Sequence, residues 1–324
     1  MSDSHRTSQM VKYALLQTTL APSIVCDLLV FTYFLYHWKQ QVLKSPQNHV
    51  IVCLLLASFI QKNTDIIFHL YYLRWGTVLY KSYTFCVIWN WLNYSLYCII
   101  LHLATWCCVE RHLFVFHGQL MKKKWCLIVF HYIPLLICLL YTPILYICLI
   151  ILPIICTNIW DYTNVYCGGA CYAFADPFLG TFDWLFHNGL PALLIFVGNV
   201  LLFGRIIWQK IKHGRPVQWK RQKRMIVQLV FISALIMILA FPAVIVGCIQ
   251  ILWLPTFLSD IQYNYFYYIG CFINQLLPFV IMSSIPKIFV DLKRCFEYLR
   301  IRLGGRHRID PGTTMTVIVG DTTI

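Results

Sequence analysis

The sequence predicts an all-α membrane protein: a bundle of seven transmembrane helices, N-terminus outside, with a short amphipathic eighth helix on the cytoplasmic face. Three observations lead there. Of 324 residues, 60% are hydrophobic and only 12% are charged, too few charges to cover a soluble domain of this size. Mean hydropathy over the whole chain is +0.68. The apolar residues gather in seven stretches, at 11–36, 49–72, 83–116, 125–155, 182–211, 225–254 and 265–285. Each reaches the roughly 20 residues a helix needs to cross a bilayer. Several exceed it, which implies tilt or extension beyond the bilayer.

This divides the chain into a short polar outer segment (1–10), the bundle (11–285), a basic juxtamembrane helix (286–308) and a polar cytoplasmic tail (309–324). Residues 1–10 show no cleavable signal pattern, so the first stretch is expected to act as the targeting signal. No internal repeat or low-complexity tract stands out. Pro143 and Pro153 mark the fourth stretch for irregular backbone.

Orientation follows from the placement of Lys and Arg. With the N-terminus outside, the first cytoplasmic segment carries Lys39 and Lys44. The second carries four basic residues, from Arg111 to Lys124, and the third carries eight, from Arg205 to Arg224. Seven more follow the last stretch, from Lys287 to Arg308, so 21 of the 26 basic residues lie inside. The outside holds Arg6, Lys12, Arg74 and Lys81, and Lys62 lies within a stretch. The net charge of +14 therefore reflects positive-inside loops and an affinity for anionic lipid; it does not point to nucleic acid.

The third stretch carries the most specific pattern. It opens with Cys86 and closes on Glu110, Arg111 and His112, with 25 residues from Cys86 to Arg111. That separation spans roughly 38 Å of helix, enough to reach both membrane faces. The Cys86 spacing and the acid–Arg–aromatic ending resemble the third helix of rhodopsin-like G-protein-coupled receptors. Pro191, Pro242 and Pro278 fall in the fifth, sixth and seventh stretches as that family's helix-switch prolines do. The basic segment after the last stretch is similar to the family's eighth helix. There are departures. Ala240 stands where the sixth helix would carry Trp, and Leu277 and Ile281 replace Asn and Tyr in the seventh. Ser58 replaces the sodium-coordinating Asp of the second helix, and Asn199 the Tyr of the fifth.

The resemblance implies a receptor in the plasma membrane that binds an extracellular ligand and acts on a heterotrimeric G protein through Glu110, Arg111 and His112. Glu110 is expected to restrain Arg111 in the resting state. The usual second acidic partner on the sixth helix is missing, so that restraint rests on Glu110 alone and high basal activity is expected. The resemblance also implies a disulfide from Cys86 to the loop before the fifth stretch, which holds Cys156, Cys167 and Cys171. Cys167 and Cys171 are the favoured partners, although four cysteines allow three connectivities. The ligand-pocket candidates are Trp89, Asn93, Tyr94, His187 and Asn188. Each is read against ordinary packing. Asn93 stands where amine receptors carry Asp, which argues against amines, and no mid-seventh Lys is present to hold retinal.

Asp27, Lys62 and Asp65 are ionisable groups inside stretches, expensive in lipid unless they face the interior. Lys62 and Asp65 are three apart and can pair on one helix face. Asp27 and Ser58 should lie at similar depth, so Asp27 is a candidate for the carboxylate the second helix lacks. Cys295 is placed for palmitoylation. The terminal Thr322, Thr323 and Ile324 are similar to a PDZ ligand. No metal, cofactor or catalytic motif is seen, so no enzyme is expected. A multi-span transporter and a receptor-like protein without coupling share the architecture and stay open.

Overall fold

The computed structural model describes residues 3–43, 45–116, 119–152, 156–213, 219–254, 256–285 and 287–290, and no strand occurs among them. The long helices are α1 (Asp3–Tyr36), α2 (His49–Trp75), α3 (Tyr83–Phe116), α4 (Lys124–Ile151), α5 (177–213), α6 (Trp219–Leu239), α7 (Phe241–Leu252) and α8 (Ser259–Ser283). Six of these are long and apolar enough to cross a bilayer; α6 and α7, bent by 46° at their junction, make a seventh if they are one broken span. The bend has a local cause. Pro242 sits in the first turn of α7, where its missing N–H and its ring cannot continue α6. Pro278 lies within α8 without breaking it. α1 already begins at Asp3, within the polar start of the chain.

Five-residue π turns interrupt the spans at Lys62–Ile66, Ile128–Tyr132, Ile147–Ile151, Leu185–Gly189 and Gln262–Phe266. Two have a visible origin. Pro134 and Pro191 each follow a π turn by two residues, and the wider turn makes room for a ring that cannot donate to the preceding turn. The irregular backbone of α4 therefore lies at both ends of the helix, while Pro143 sits in regular helix. Pro153 lies outside the described residues.

α3 is the centre of the bundle and packs against α2, α4, α5 and α6. α1 packs on α8 and on the second half of α2, and α8 returns to α6. Leu16, Leu20, Ile66, Leu70 and Tyr268 form the core where α1, α2 and α8 meet. In contrast, Leu136, Ile137, Leu140 and Ile144 of α4 are exposed, as expected of side chains that face lipid.

The segment between α4 and α5 folds over one end of the bundle, tied by disulfides Cys86–Cys167 and Cys156–Cys171. These two bonds resolve the connectivity and bring all four predicted cysteines into bridges. Tyr166 and Cys167 both take left-handed backbone, φ 54° and 53°. Asn90 Nδ2 holds the Tyr166 carbonyl at 2.8 Å, and Asp161 N holds that of Cys167 at 2.9 Å. Gly168 and Gly169 continue at φ 86° and 87°, which glycine adopts without steric cost. The Thr163 hydroxyl and amide and the Asn164 amide donate to Asp161, and these hydrogen bonds hold its carboxyl below the usual carboxylate range. Asp176 caps α5 by accepting from Phe178 N and Leu179 N, with Pro177 in the first turn.

A second unit begins at Ile285, where residues 287–290 form one helical turn. The remainder of the predicted amphipathic helix, with Cys295, and the tail with Thr322 to Ile324 lie outside the described residues.

α7 meets α5 through Gly247, where a Cβ would fall on the Trp184 indole. Gly270 of α8 has open space around the same position. Gly247→Ala should destabilise the bundle by about 1–3 kcal/mol through overpacking. Gly270→Ala should be neutral or stabilising by up to about 1 kcal/mol through helix propensity. Thermal unfolding in detergent would check the pair, and equal effects at the two glycines would refute the packing assignment.

Candidate functional site

Three polar constellations lie inside the bundle. The first is at the Arg111 end of α3. Glu110 and Arg111 are 0% and 1% exposed. Adjacent helical residues point about 100° apart, so the two side chains leave α3 in different directions. Glu110 Oε1 bonds to Nδ1 of His131, which the π turn of α4 carries inward. His131 Nε2 meets His49 Nδ1 at 2.9 Å, and His49 Nε2 donates to the Val42 carbonyl at 2.9 Å. The other Glu110 oxygen is buried without a hydrogen-bond partner. The expected Glu110–Arg111 restraint is therefore corrected: the carboxylate is held by His131. Arg111 lies beside Cys107, one turn earlier. His112 Nε2 bonds the Gly198 carbonyl of α5 at 2.9 Å. Close by, Cys108 Sγ lies 3.7 Å from Ser233 Oγ of α6 and also takes a long contact from Asn199 of α5. The end of α3 thus touches α2, α4, α5 and α6.

The second constellation lies between α1, α2, α3 and α8. Lys62 forms an ion pair with Asp27 and donates to Ser23 Oγ at 3.1 Å, with both charged side chains at 0% exposure. Asp65 accepts from Trp89 Nε1 of α3 at 2.8 Å. The predicted Lys62–Asp65 pair is not formed. Both residues sit in one π turn, whose widened spacing changes the relation of positions three apart. Lys62 turns to α1 and Asp65 to α3. Ser58 Oγ donates to the Asn274 carbonyl at 3.1 Å, Gln275 Nε2 donates to the Leu16 carbonyl at 3.1 Å, and Thr19 Oγ1 contacts Gln275 Oε1. A buried carboxylate, Asp27, is thus present on α1 with a lysine as its counter-ion.

The third constellation lies between α3, α4, α5 and the loop. Asp183 Oδ1 accepts from Tyr146 at 2.8 Å and meets His187 Nδ1 at 2.7 Å, while Oδ2 accepts from Tyr172 at 2.9 Å. Tyr141 closes on His187 Nε2 at 3.2 Å, and Cys98 on the Tyr146 hydroxyl at 3.3 Å. Asp183, Tyr146 and Tyr172 are not among the residues the sequence singles out. An acid at the start of the fifth stretch is the available signal, and by sequence alone it passes for the edge of a loop.

The five pocket candidates are not brought together. Trp89 is fully buried against Phe68, Phe85 and Tyr166 on the α2 side of α3. Tyr94 stacks near Tyr146 and Tyr172 on the α4 side, beside the His187 network. Asn93 is half-buried and Asn188 is buried. Pro191 also takes part in helix packing, since Thr105 Oγ1 of α3 reaches its carbonyl at 3.3 Å. A shallow apolar depression of about 330 Å³ runs along α5, lined by Phe178, Thr181, Phe182, Leu185, Phe186 and Leu190. These residues form one helical stripe, which includes none of the candidates.

Among the described residues the regular structure is all helical, and six to seven helices long and apolar enough to span a bilayer make the chain a multi-pass membrane protein. Compared with known proteins, it matches no family model and no curated protein.

The Asp27–Lys62 pair generates a prediction. Lys62→Met leaves a buried carboxylate uncompensated and should destabilise the protein by about 3–5 kcal/mol. The double variant Asp27→Leu with Lys62→Met removes both charges and should recover most of that loss. Thermal unfolding of the single and double variants in lipid nanodiscs provides the measurement. A double variant no more stable than Lys62→Met would rule out the pairing.

Proposed function

We propose that this chain is a seven-span receptor of the plasma membrane, N-terminus outside, which takes an extracellular ligand at the disulfide-tied end. At the Arg111 end it promotes GDP release from a heterotrimeric G protein. The observation that carries this reading is the course of α3. One helix is tied to the outer loop at Cys86 by the bridge to Cys167. The same helix sets Arg111 among α2, α4, α5 and α6 at its opposite end. A displacement imposed on the loop has a continuous rigid element by which to reach Arg111. The bent α6–α7 pair supplies a second arrangement between which a ligand can shift the population. Placement of 21 basic residues at the Arg111 side of the spans and in the tail supports the orientation. On this reading the basic segments also engage anionic lipid, Cys295 is a lipidation site, and Thr322 to Ile324 dock a PDZ domain.

A proton-coupled transporter is the second reading, and the buried Asp27–Lys62 pair favours it, since intramembrane charges mark ion pathways. Ligand-free nucleotide exchange on a panel of G proteins separates the two, with wild type and Arg111→Ala at matched folded amount. The expected result is exchange above background for one G-protein class, reduced by Arg111→Ala about tenfold, or about 1.4 kcal/mol of lost coupling. Absence of exchange in every class, with uptake of a labelled solute, would establish transport instead.

A further inference from the structure

The hydrogen bonds from Val42 to Glu110 fix how many protons their groups hold. The Val42 carbonyl can only accept, so His49 Nε2 carries a proton. His49 Nδ1 and His131 Nε2, 2.9 Å apart, share one proton. Two protons there would set donor against donor, and none would set lone pair against lone pair. His131 Nδ1 and Glu110 Oε1 share one proton for the same reason. The intact chain of groups therefore needs at least three protons, and with three it has no net charge and three possible arrangements. In one, an imidazolium at His131 faces the carboxylate. In another, the imidazolium is His49. In the third, all three groups are neutral and the carboxyl proton lies on Glu110. Removal of one proton breaks a link, whereas a fourth proton can sit on the unpartnered Oε2 of Glu110 with every link kept.

We infer that Glu110, His131 and His49 form a proton-counting clasp that holds the Arg111 end of α3 to α4 and α2, and that the clasp opens as pH rises and a proton is lost. His131 and His49 are positioning residues in this scheme; neither touches the G protein. Among the described residues, the titratable groups in contact with His131 are Glu110 on α3, His49 on α2 and Tyr132 on α4, with Phe114 closing the apolar side. Both imidazoles and the carboxylate are buried or half-buried, so water cannot replace a broken hydrogen bond there without cost. The functional part of this inference rests on the receptor reading: a closed clasp keeps α3 in its resting position, and an open one frees it to couple.

The test is nucleotide exchange with receptor in nanodiscs, both faces at buffer pH, from about pH 5 to about pH 8. Rates are taken as the ratio of wild type to His131→Asn at each pH, which cancels the G protein's own response. The ratio should stay low at acid pH and rise about tenfold as pH increases, equivalent to about 1.4 kcal/mol. His49→Gln keeps both an acceptor for His131 and a donor for Val42, and should retain the rise. A ratio constant with pH would overturn the clasp while leaving the receptor reading intact. If neither protein supports exchange, the receptor reading fails, and ¹⁵N spectra of histidine-labelled protein decide the clasp alone. Two inequivalent, hydrogen-bonded ring nitrogens at His131 that change together with those of His49 support it. Independent titration of the two rings overturns it.

Discussion

Water is absent from the hydrocarbon interior, and every polar group placed there must find a protein partner or carry an unmet cost. That constraint organises this bundle. Lys62 lies within a span at 0% exposure because Asp27 and Ser23 of the neighbouring helix meet it. Asp65 is met by the Trp89 indole, Asp183 by two tyrosines and a histidine, and Glu110 by His131. Each set joins different helices, so the polar interactions specify which helices are neighbours. Apolar packing alone, in a lipid as apolar as leucine, does this poorly.

The π turns are how the helices deliver those groups. Four of them carry a buried polar side chain: Lys62 and Asp65, His131, His187 and Asn188, and Gln262. One extra residue in a turn re-aims the side chains on either side of it. In α4 and α5 the proline that follows prevents the regular hydrogen bond at that point, so the wide turn costs less there than it would elsewhere. The prolines matter in this fold less as kinks than as positions that make room for inward-facing histidines.

This also explains what the sequence reveals and what it conceals. The spans are legible because a run of 20 apolar residues has one physical meaning, and the break at Pro242 because proline removes a donor. Cys156, Cys167 and Cys171 are legible because they fall in one outer segment, and Cys86 through the resemblance of the third stretch, but their connectivity needs the loop's left-handed turn at Tyr166 and Cys167. The partners of the charged groups are not legible. Reading Lys62 with Asp65, and Glu110 with Arg111, assumes an undistorted helix and partners close in sequence. The partners are in fact 35 residues away for Lys62 and 21 for Glu110, on other helices. His131 gives a weak signal, a lone histidine in the most apolar stretch. It gains meaning only from the carboxylate beside it in space.

A carboxylate held by histidine differs from one held by arginine in a way that bears on regulation. Arginine stays charged at any physiological pH, so an Arg–Glu pair is broken by force from a ligand or partner and by little else. A histidine link can also be broken by proton exchange. At the end of α3 the neighbour of the most strongly basic residue is thus tied into a network whose integrity depends on proton count. On the proposed receptor reading, the departures from the rhodopsin-like pattern in the sixth and seventh stretches would weaken the family's usual restraints on a resting state. The histidine chain joins α2, α3 and α4, and the α6–α7 bend lies outside it.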